Sequence, residues 1–247
     1  MELLSLLFIF LAGLIGAFVG TNVGGGGLLT FPVLVFVGLD PKVAIATHLL
    51  GGFGLTVGGF IRFHHAKKID YGIGWPLLGL AVLGSLIGAN ILVSLSSAFI
   101  ERFIGYVILA LLIVLVAKKD VGITGKGMGG AWKVLGYLAV FLISIWGGIF
   151  SGGTGTLLLY ALLFFFGKTF LESAGTMKII GFGISIPALI VFWLNDLLLW
   201  GPGAVLFISM FIGSFLGAHY ALKKGDAWVR GLFYVVVGLM AVKLLIG

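Results

Sequence analysis

The chain has 247 residues, of which 61% are hydrophobic and only 9% charged, and its formal net charge is +7. Soluble proteins carry about 25% charged residues, so this composition excludes an ordinary soluble domain and favours a protein solvated by lipid. The positive charge does not indicate nucleic-acid binding, because the basic residues cluster between apolar segments, as in the cytoplasmic loops of membrane proteins. Disulfide and thiol chemistry is excluded because the chain has no cysteine.

Apolar segments follow one another along the chain, five in each half. A membrane-spanning helix needs roughly 20 apolar residues, and the first segment lacks the basic start of a cleaved signal peptide. We therefore predict an all-α polytopic membrane protein, with one transmembrane domain over residues 1–247 and about eight to ten transmembrane helices. The predicted segments are 3–19, 28–38, 43–63, 74–94 and 99–117, then 132–150, 156–167, 170–194, 202–222 and 228–246.

Similar motifs recur 129 residues apart, without gaps. Gly84-Ser85-Leu86-Ile87-Gly88-Ala89 returns as Gly213-Ser214-Phe215-Leu216-Gly217-Ala218, and Gly52-Phe53-Gly54 returns as Gly181-Phe182-Gly183. A fixed period is the signature of an internal repeat. The sequence thus predicts two five-segment repeats, 1–118 and 130–247, each with one short segment of about 11 residues that either spans or re-enters the membrane.

The charge of the loops predicts that the two repeats are inverted. Lys and Arg concentrate in the loops 62–72, 118–133 and 223–230, which can all be cytoplasmic if both chain ends lie outside. The repeat equivalent of the first of these loops, 191–201, contains Asp196 and no basic residue. Equivalent loops thus differ in charge, as expected for halves inserted in opposite directions, an architecture that is common in secondary transporters.

Glycine-rich breaks separate the first two segments of each half. Residues 21–27 read Thr-Asn-Val-Gly-Gly-Gly-Gly, and the equivalent residues 151–156 read Ser-Gly-Gly-Thr-Gly-Thr. Glycine destabilises a helix by roughly 1 kcal/mol relative to alanine, and exposed amides at the start of the next helix form an anion site. Close helix packing is the alternative explanation, and it is the one we prefer for the small-xxx-small pairs such as Gly84 and Gly88.

Two ionisable residues are predicted near the membrane midplane. Asp40-Pro41 and the capping box Thr169-x-x-Glu172 mark helix starts at equivalent positions, and His48 and Lys178 follow eight and nine residues later, roughly 12–14 Å deep. Ionisable residues at that depth are costly and usually functional, although a snorkelling Lys and a structural His are the alternatives. The candidate substrate-binding residues are Asn22, Gly24, Gly25, Gly26, Thr47, His48, Ser151, Gly153, Thr154, Gly155, Thr176 and Lys178.

At these residues the chain resembles the TauE/SafE family, the group of sulfite exporter-like proteins and toluene-sulfonate uptake permeases. The resemblance rests on the glycine spacing 16–27, Leu28-Leu29-x-x-Pro32, Gly38-Leu39-x-Pro41, and the later Gly84-x-x-x-Gly88-Ala89, and it covers essentially the whole chain. It implies transport of small sulfur-containing anions such as sulfite and organosulfonates. In the second half the glycine run is shorter and Ala161 replaces the proline, which leaves the substrate open.

We therefore expect a secondary transporter of small anions in the cytoplasmic membrane, working by alternating access. The alternatives are a transporter of another organic anion, a passive anion channel, and a membrane enzyme. An enzyme is disfavoured because no paired carboxylates, metal cluster or activated nucleophile stands at membrane depth. No cofactor, catalytic residue, metal or nucleic acid is expected; the expected partners are the anion, lipid and a proton that His48 could carry.

Overall fold

The structure, a computed structural model, describes residues 3–97, 99–100 and 130–232. These residues form helices and no strand, and six of the helices are long and apolar enough to cross a membrane. The prediction of an all-α polytopic membrane protein is confirmed. The main helices are α1 (Leu3–Val23), α2 (Gly26–Phe36), α3 (Pro41–His65), α4 (Tyr71–Ser94), α5 (Ala131–Ile149), α6 (Thr154–Phe166), α7 (Phe170–Leu194) and α8 (Trp200–Lys224).

Some predicted features lie partly or wholly outside the described residues. Of the segment 99–117 only its first two residues are described, and the segment 228–246 is described only to residue 232, in a helix that begins at 226. The basic loop 118–133 is described from residue 130.

The predicted caps begin α3 and α7. The carboxylate of Asp40 accepts hydrogen bonds from the amides of Lys42 and Val43, with Pro41 in the first turn. The capping box of Thr169 and Glu172 is complete, with both reciprocal hydrogen bonds. Both cap predictions are confirmed, and they fix where the helices that carry His48 and Lys178 enter the bundle.

The small-xxx-small pairs lie at close helix contacts. Gly84 and Gly88 on α4 face the backbone of α5, and Gly213 and Gly217 on α8 face the backbone of α1. A side chain at any of these positions would collide with main-chain atoms of the neighbour. The prediction that these glycines serve helix packing is confirmed.

The order of contacts along each helix pair gives the helix directions. Along four helix pairs, α1–α8, α3–α8, α4–α5 and α4–α7, successive contacts join residues whose numbers increase in both helices. The two helices of each of these pairs are therefore parallel. Numbers run oppositely where α3 packs on α7. The contacts are Leu14–Gly213 and Phe18–Gly217, Gly54–Phe207 and Gly58–Phe211, Phe141–Gly84 and Ile145–Gly88, Gly74–Ile179 and Leu78–Gly183, and for the antiparallel pair Thr56–Gly181 and Gly59–Lys178.

Hydrogen bonds between the halves come in pairs related by the offset of 129. The amide of Leu199 donates to the Thr47 hydroxyl at 3.3 Å, and the amide of Asp70 donates to the Thr176 hydroxyl at 3.0 Å. In the same way, the hydroxyls of Ser85 and Ser214 donate to the carbonyls of Ile184 and Leu55, at 2.5 and 2.6 Å. Together with the helix directions, these pairs support the repeat and its inversion, which stay predictions.

One end of the bundle is strongly basic. The contact of Arg62 with His219 places the ends of α3 and α8 at the same level, and an ion pair between Lys168 and Asp70 adds the α6–α7 loop to this end. Burial would raise the pKa of Asp70, but the hydrogen bond and charge of Lys168, with amides from the first turn of α4, hold that pKa below its ordinary value. The enrichment of cytoplasmic loops in basic residues predicts that this end faces the cytoplasm.

The outer faces of the helices are apolar. Leu142 on α5 is 55% exposed and Ile190 on α7 is 50% exposed. Such faces suit contact with lipid chains, so the polar groups of the interior are the ones that call for a functional explanation.

Candidate substrate site

The two glycine-rich breaks meet inside the bundle. The Thr156 hydroxyl donates to the carbonyl of Val23 at 3.1 Å, and a Cβ on Gly24 would collide with the backbone of Gly155 and Thr156. Gly24 and its equivalent Gly153 have φ values of +75° and +78°, which L side chains rarely adopt. Glycine is therefore required here both by the backbone conformation and by the close approach of the two halves.

The α1–α2 break forms a hairpin inside the bundle. The start of α2 at Gly26 packs against Gly16 and Gly20 of α1, so α2 runs back along the helix before it. At 11 residues, α2 is only about 16 Å long. Helix α6 follows the second break in the equivalent position, and the starts of both short helices lie in the interior.

A cavity of about 110 Å³ lies where the breaks meet α3 and α7. Eight of the twelve candidate residues line it: Gly24, Gly25, Gly26, His48, Ser151, Thr154, Gly155 and Lys178. Pockets for drug-sized ligands measure about 300–1,000 Å³. The cavity therefore suits a ligand of few heavy atoms.

Lys178 is the basic side chain among the described residues that line this cavity. Its side chain is 2% exposed, and its Nζ donates to the carbonyl of Thr21, at the end of α1, at 2.8 Å. The one ion pair among the described residues joins Lys168 and Asp70, so Lys178 has no carboxylate partner there. An ammonium group that is buried without a counter-ion is costly, and a bound anion would supply that counter-ion.

The starts of α2 and α6 provide further donors. Their N-caps, Gly25 and Gly153, have no side chain with which to cap the helix, and the first amides of a helix have no partner within the helix. The Thr154 amide of α6 donates to the Ser151 carbonyl, which leaves the amides that follow it as the donors of that helix start. The Ser151 hydroxyl, which also lines the cavity, is buried and has no hydrogen-bond partner in the described part of the chain. Amides at a helix start and an unpaired hydroxyl are typical ligands of an oxyanion.

His48 faces the cavity from α3. It is 3% exposed, and its Nδ1 lies 2.9 Å from the hydroxyl of Thr30 on α2. Among the described residues, no cluster of three or more His, Cys, Asp or Glu side chains could hold a metal ion. The neighbours of His48 thus point to hydrogen bonding and charge as its chemistry.

The remaining four candidates lie beside the cavity and do not line it. Asn22 donates to the carbonyls of Phe18 and Gly217, and the hydroxyls of Thr47 and Thr176 accept the interhelix bonds described above. Gly153 is the N-cap of α6. These contacts hold the helices around the cavity, and our proposal for the substrate site does not include the four residues as ligands.

The cavity lining also contains hydroxyls that sequence reasoning missed. Thr56 and Ser185 line it from α3 and α7 and are separated by 129 residues. Met177, the repeat equivalent of His48, lines it as well. The offset of 129 leads from His48 to Met177. Two helical turns along the same faces lead from His48 to Thr56 and from Lys178 to Ser185, so these signals could have found all three positions.

The two repeats supply different chemistry to equivalent positions. Lys178 corresponds to Leu49, and Thr21, whose carbonyl Lys178 contacts, corresponds to Phe150. Phe150 packs edge-on against Phe31 with ring centroids 5.1 Å apart. The contact of Lys178 with Thr21 thus has the apolar residues Leu49 and Phe150 at the equivalent positions.

Comparison with known proteins gives the family. The family model described as sulfite exporter TauE/SafE matches residues 9–244. A "probable membrane transporter protein" of Haemophilus influenzae is 25% identical over 243 residues, which cover 98% of this chain and 94% of the relative. "Probable membrane transporter protein ORF9" of a Sinorhizobium species is 23% identical, covering 97% and 92%, and YfcA of Escherichia coli K12, also named as a probable membrane transporter, is 22% identical, covering 96% and 88%. The comparison with solved structures gave no match.

Fold, cavity and comparisons define a multi-pass membrane transporter of the bacterial type, in agreement with a place in the cytoplasmic membrane. The chain belongs to the sulfite exporter TauE/SafE family. The family resemblance predicted from the glycine motifs is thereby confirmed.

Proposed function

We propose that the chain is a secondary transporter that moves small anions across the cytoplasmic membrane by alternating access. The observation that carries this proposal is Lys178, a buried amine without a carboxylate partner among the described residues, which faces a cavity at the junction of two helix starts. A transporter site must bind its ligand without holding it permanently. One cation assisted by amides and hydroxyls suits that requirement better than a site with several fixed charges.

Sulfite and small organosulfonates are the proposed substrates. The family description supports sulfite, and the cavity of about 110 Å³ favours ligands of few heavy atoms over aromatic sulfonates. A pyramidal sulfonate or sulfite group presents three oxygens. These could be shared among the Lys178 ammonium group, the Ser151 hydroxyl and the amides at the starts of α2 and α6.

The predicted inversion of the repeats would supply the proposed movement. The helix directions support the inversion, and the glycine contacts along α4–α5 and α1–α8 mark the interfaces at which one group of helices would tilt against another. Such a tilt would open the cavity first on one face and then on the other while the site remains near the midplane.

A passive anion channel is the second candidate function. It is disfavoured by the near-complete burial of Lys178 and His48, because an open pore would leave the groups that line it in water. A carrier would show saturable flux and exchange of labelled for unlabelled anion, whereas a channel would show large unitary currents. A membrane enzyme is also disfavoured, since no carboxylate stands among the described residues that line the cavity.

The test is to replace Lys178 with methionine, which keeps the length of the side chain and removes its charge. Binding of sulfite, methanesulfonate, sulfoacetate, thiosulfate and acetate is measured with purified protein at one pH, followed by flux in proteoliposomes. Removing the charged partner of a buried anion costs at least about 2 kcal/mol, so the Kd of the anion that the wild type binds should rise about thirtyfold or more.

Lys133→Met is the matched control, because Lys133 is exposed on α5; it should leave the Kd unchanged. An unchanged affinity in a folded Lys178→Met protein, or the absence of binding by the wild type to any of the five anions, would overturn the proposal.

A further inference from the structure

The hydrogen bonds around His48 favour a hydrogen on Nδ1 of its ring. The Thr30 hydroxyl lies 3.2 Å from the Gly26 carbonyl, to which it donates, and 2.9 Å from His48 Nδ1. A hydroxyl has one proton to donate. When Thr30 gives that proton to the carbonyl, its oxygen is left to accept a hydrogen bond from His48, an arrangement that places the hydrogen of the neutral ring on Nδ1.

The other ring nitrogen, Nε2, is then a free acceptor in the neutral ring. It lies beside Gly27, where an added Cβ would come within 2.8 Å of it, and Gly27 itself lines the cavity. Nε2 takes part in no hydrogen bond among the described residues. A proton that enters the cavity therefore has a prepared site at Nε2, and the Thr30 contact keeps the ring oriented in both charge states.

The charges around this site make a proton and an anion depend on each other. Lys178 is the other titratable residue of the lining; α2, α6 and α8 contribute glycines, hydroxyls and apolar side chains, and no carboxylate faces His48 from any of them. When Lys178 is protonated, a proton on His48 would place a second positive charge in this buried cavity, which is costly unless an anion is present. By thermodynamic reciprocity, a bound anion then favours the proton as much as the proton favours the anion.

We propose that Nε2 of His48 binds a proton together with the transported anion, so that the chain is a proton–anion symporter. The proton is taken from the solution on the side where the anion enters and is released from Nε2 when the anion leaves on the other side. This inference rests on the proposed function and adds the coupling ion to it. Thr30 is a positioning residue, which fixes the ring by accepting from Nδ1.

The experiment uses methanesulfonate and thiosulfate, because their charges do not change between about pH 5 and pH 8, where histidine titrates. Affinity is measured across this range with the purified full chain, and proton uptake into proteoliposomes is followed with a trapped pH dye. In the range where one proton is taken up on binding, the Kd of the wild type should rise about tenfold per pH unit. Addition of the anion outside the vesicles should acidify their interior.

His48→Gln should lose both the pH dependence of the Kd and the anion-driven acidification of the vesicles. The control is His65→Gln, at an exposed histidine of the same helix, which should behave as the wild type does. Thr30→Val should displace the pH dependence, and Thr30→Ser, which keeps the hydroxyl, should restore it. This second pair keeps the test decisive if His48→Gln does not fold.

The outcomes separate the two proposals. If the wild type binds an anion but its Kd is flat with pH, or if His48→Gln keeps the slope, symport through His48 is wrong and the anion carrier stands. Equal pH dependence in Thr30→Val and Thr30→Ser would remove the positioning role of Thr30. If the wild type binds neither probe nor any other anion of the panel above, the proposed function itself fails.

Discussion

Replacing Gly84 with alanine should loosen the contact between α4 and α5. A Cβ on Gly84 would lie 2.7 Å from the carbonyl oxygen of Phe141 and 3.0 Å from the amide nitrogen of Ile145. Both atoms belong to the backbone of α5 and cannot rotate away. The two helices must therefore separate locally, or the side chain must be accommodated by strain.

The size of the effect follows from these distances. Ordinary van der Waals contact begins at 3.4 Å, so the helices must part by up to 0.7 Å (3.4 − 2.7) at this point. A gap of that size forfeits roughly a quarter to a half of the dispersion energy of the atoms on either side, and inserting a methyl group into a packed interface costs about 1–3 kcal/mol. Alanine recovers up to about 1 kcal/mol through its higher helix propensity, which leaves a net destabilisation of roughly 0–3 kcal/mol.

Thermal unfolding of the purified protein in one detergent measures this effect. For a chain of this length each kcal/mol shifts Tm by about 2–4 °C, so Gly84→Ala should lower Tm by as much as about 12 °C. Gly79→Ala is the matched control on the same helix, because Gly79 is exposed and has no atom within 4 Å of an added Cβ. It should leave Tm unchanged or raise it.

The repeat adds a second comparison. Gly213, the equivalent of Gly84, faces the backbone of Leu14 on α1, so Gly213→Ala should lower Tm by a similar amount. If Gly84→Ala and Gly79→Ala had the same Tm, close backbone packing would not be the reason for glycine at position 84.

Two further predictions concern topology and pH. The chain has no cysteine, so single cysteines at the equivalent exposed positions Ser94 and Lys223 report on the inversion directly: an impermeant maleimide should label Ser94→Cys in intact cells and Lys223→Cys only in opened ones. Labelling of both from the same side would refute the inverted repeat. Because the folded-state pKa of Asp70 is lowered, its ionised form contributes stability above its unfolded pKa and loses that contribution as pH falls through the folded pKa. Asp70→Asn, which can still cap α4, should lower the free energy of unfolding by up to about 1 kcal/mol at neutral pH, and the difference from the wild type should shrink in acid. Asp196→Asn, at an exposed position, is the control. A difference between Asp70→Asn and the wild type that stays constant with pH would contradict the linkage.

The local signals of the sequence predicted much of the fold. Asp40, Pro41, Thr169 and Glu172 marked two helix starts, because caps act within one turn and need no distant partner. The length of the apolar segments reflected the thickness of the membrane, and the predicted segment 170–194 coincides with α7. Glycine runs marked the breaks, because glycine disfavours a helix wherever it stands.

The face that each helix turns inward could not be predicted in the same way. In a membrane both the lipid-facing and the protein-facing sides are apolar, so the periodicity that orients a helix in a soluble protein is weak. For this reason Thr47 and Thr176 were expected at the site beside His48 and Lys178, whereas their hydroxyls bind the amides of Leu199 and Asp70. Thr56 and Ser185 face the cavity instead.

The sequence alone indicated that this chain resides in lipid and that glycine interrupts each half at the same place. It also predicted that the halves repeat and that His48 and Lys178 are ionisable residues at membrane depth. These properties depend on composition, spacing and contacts within one helical turn. Only the tertiary structure decided that the two breaks touch, that Lys178 contacts the end of α1, and that Thr30 orients His48 toward the cavity. Those contacts join residues up to 157 positions apart, and they depend on how the helices pack against one another, which no local pattern records.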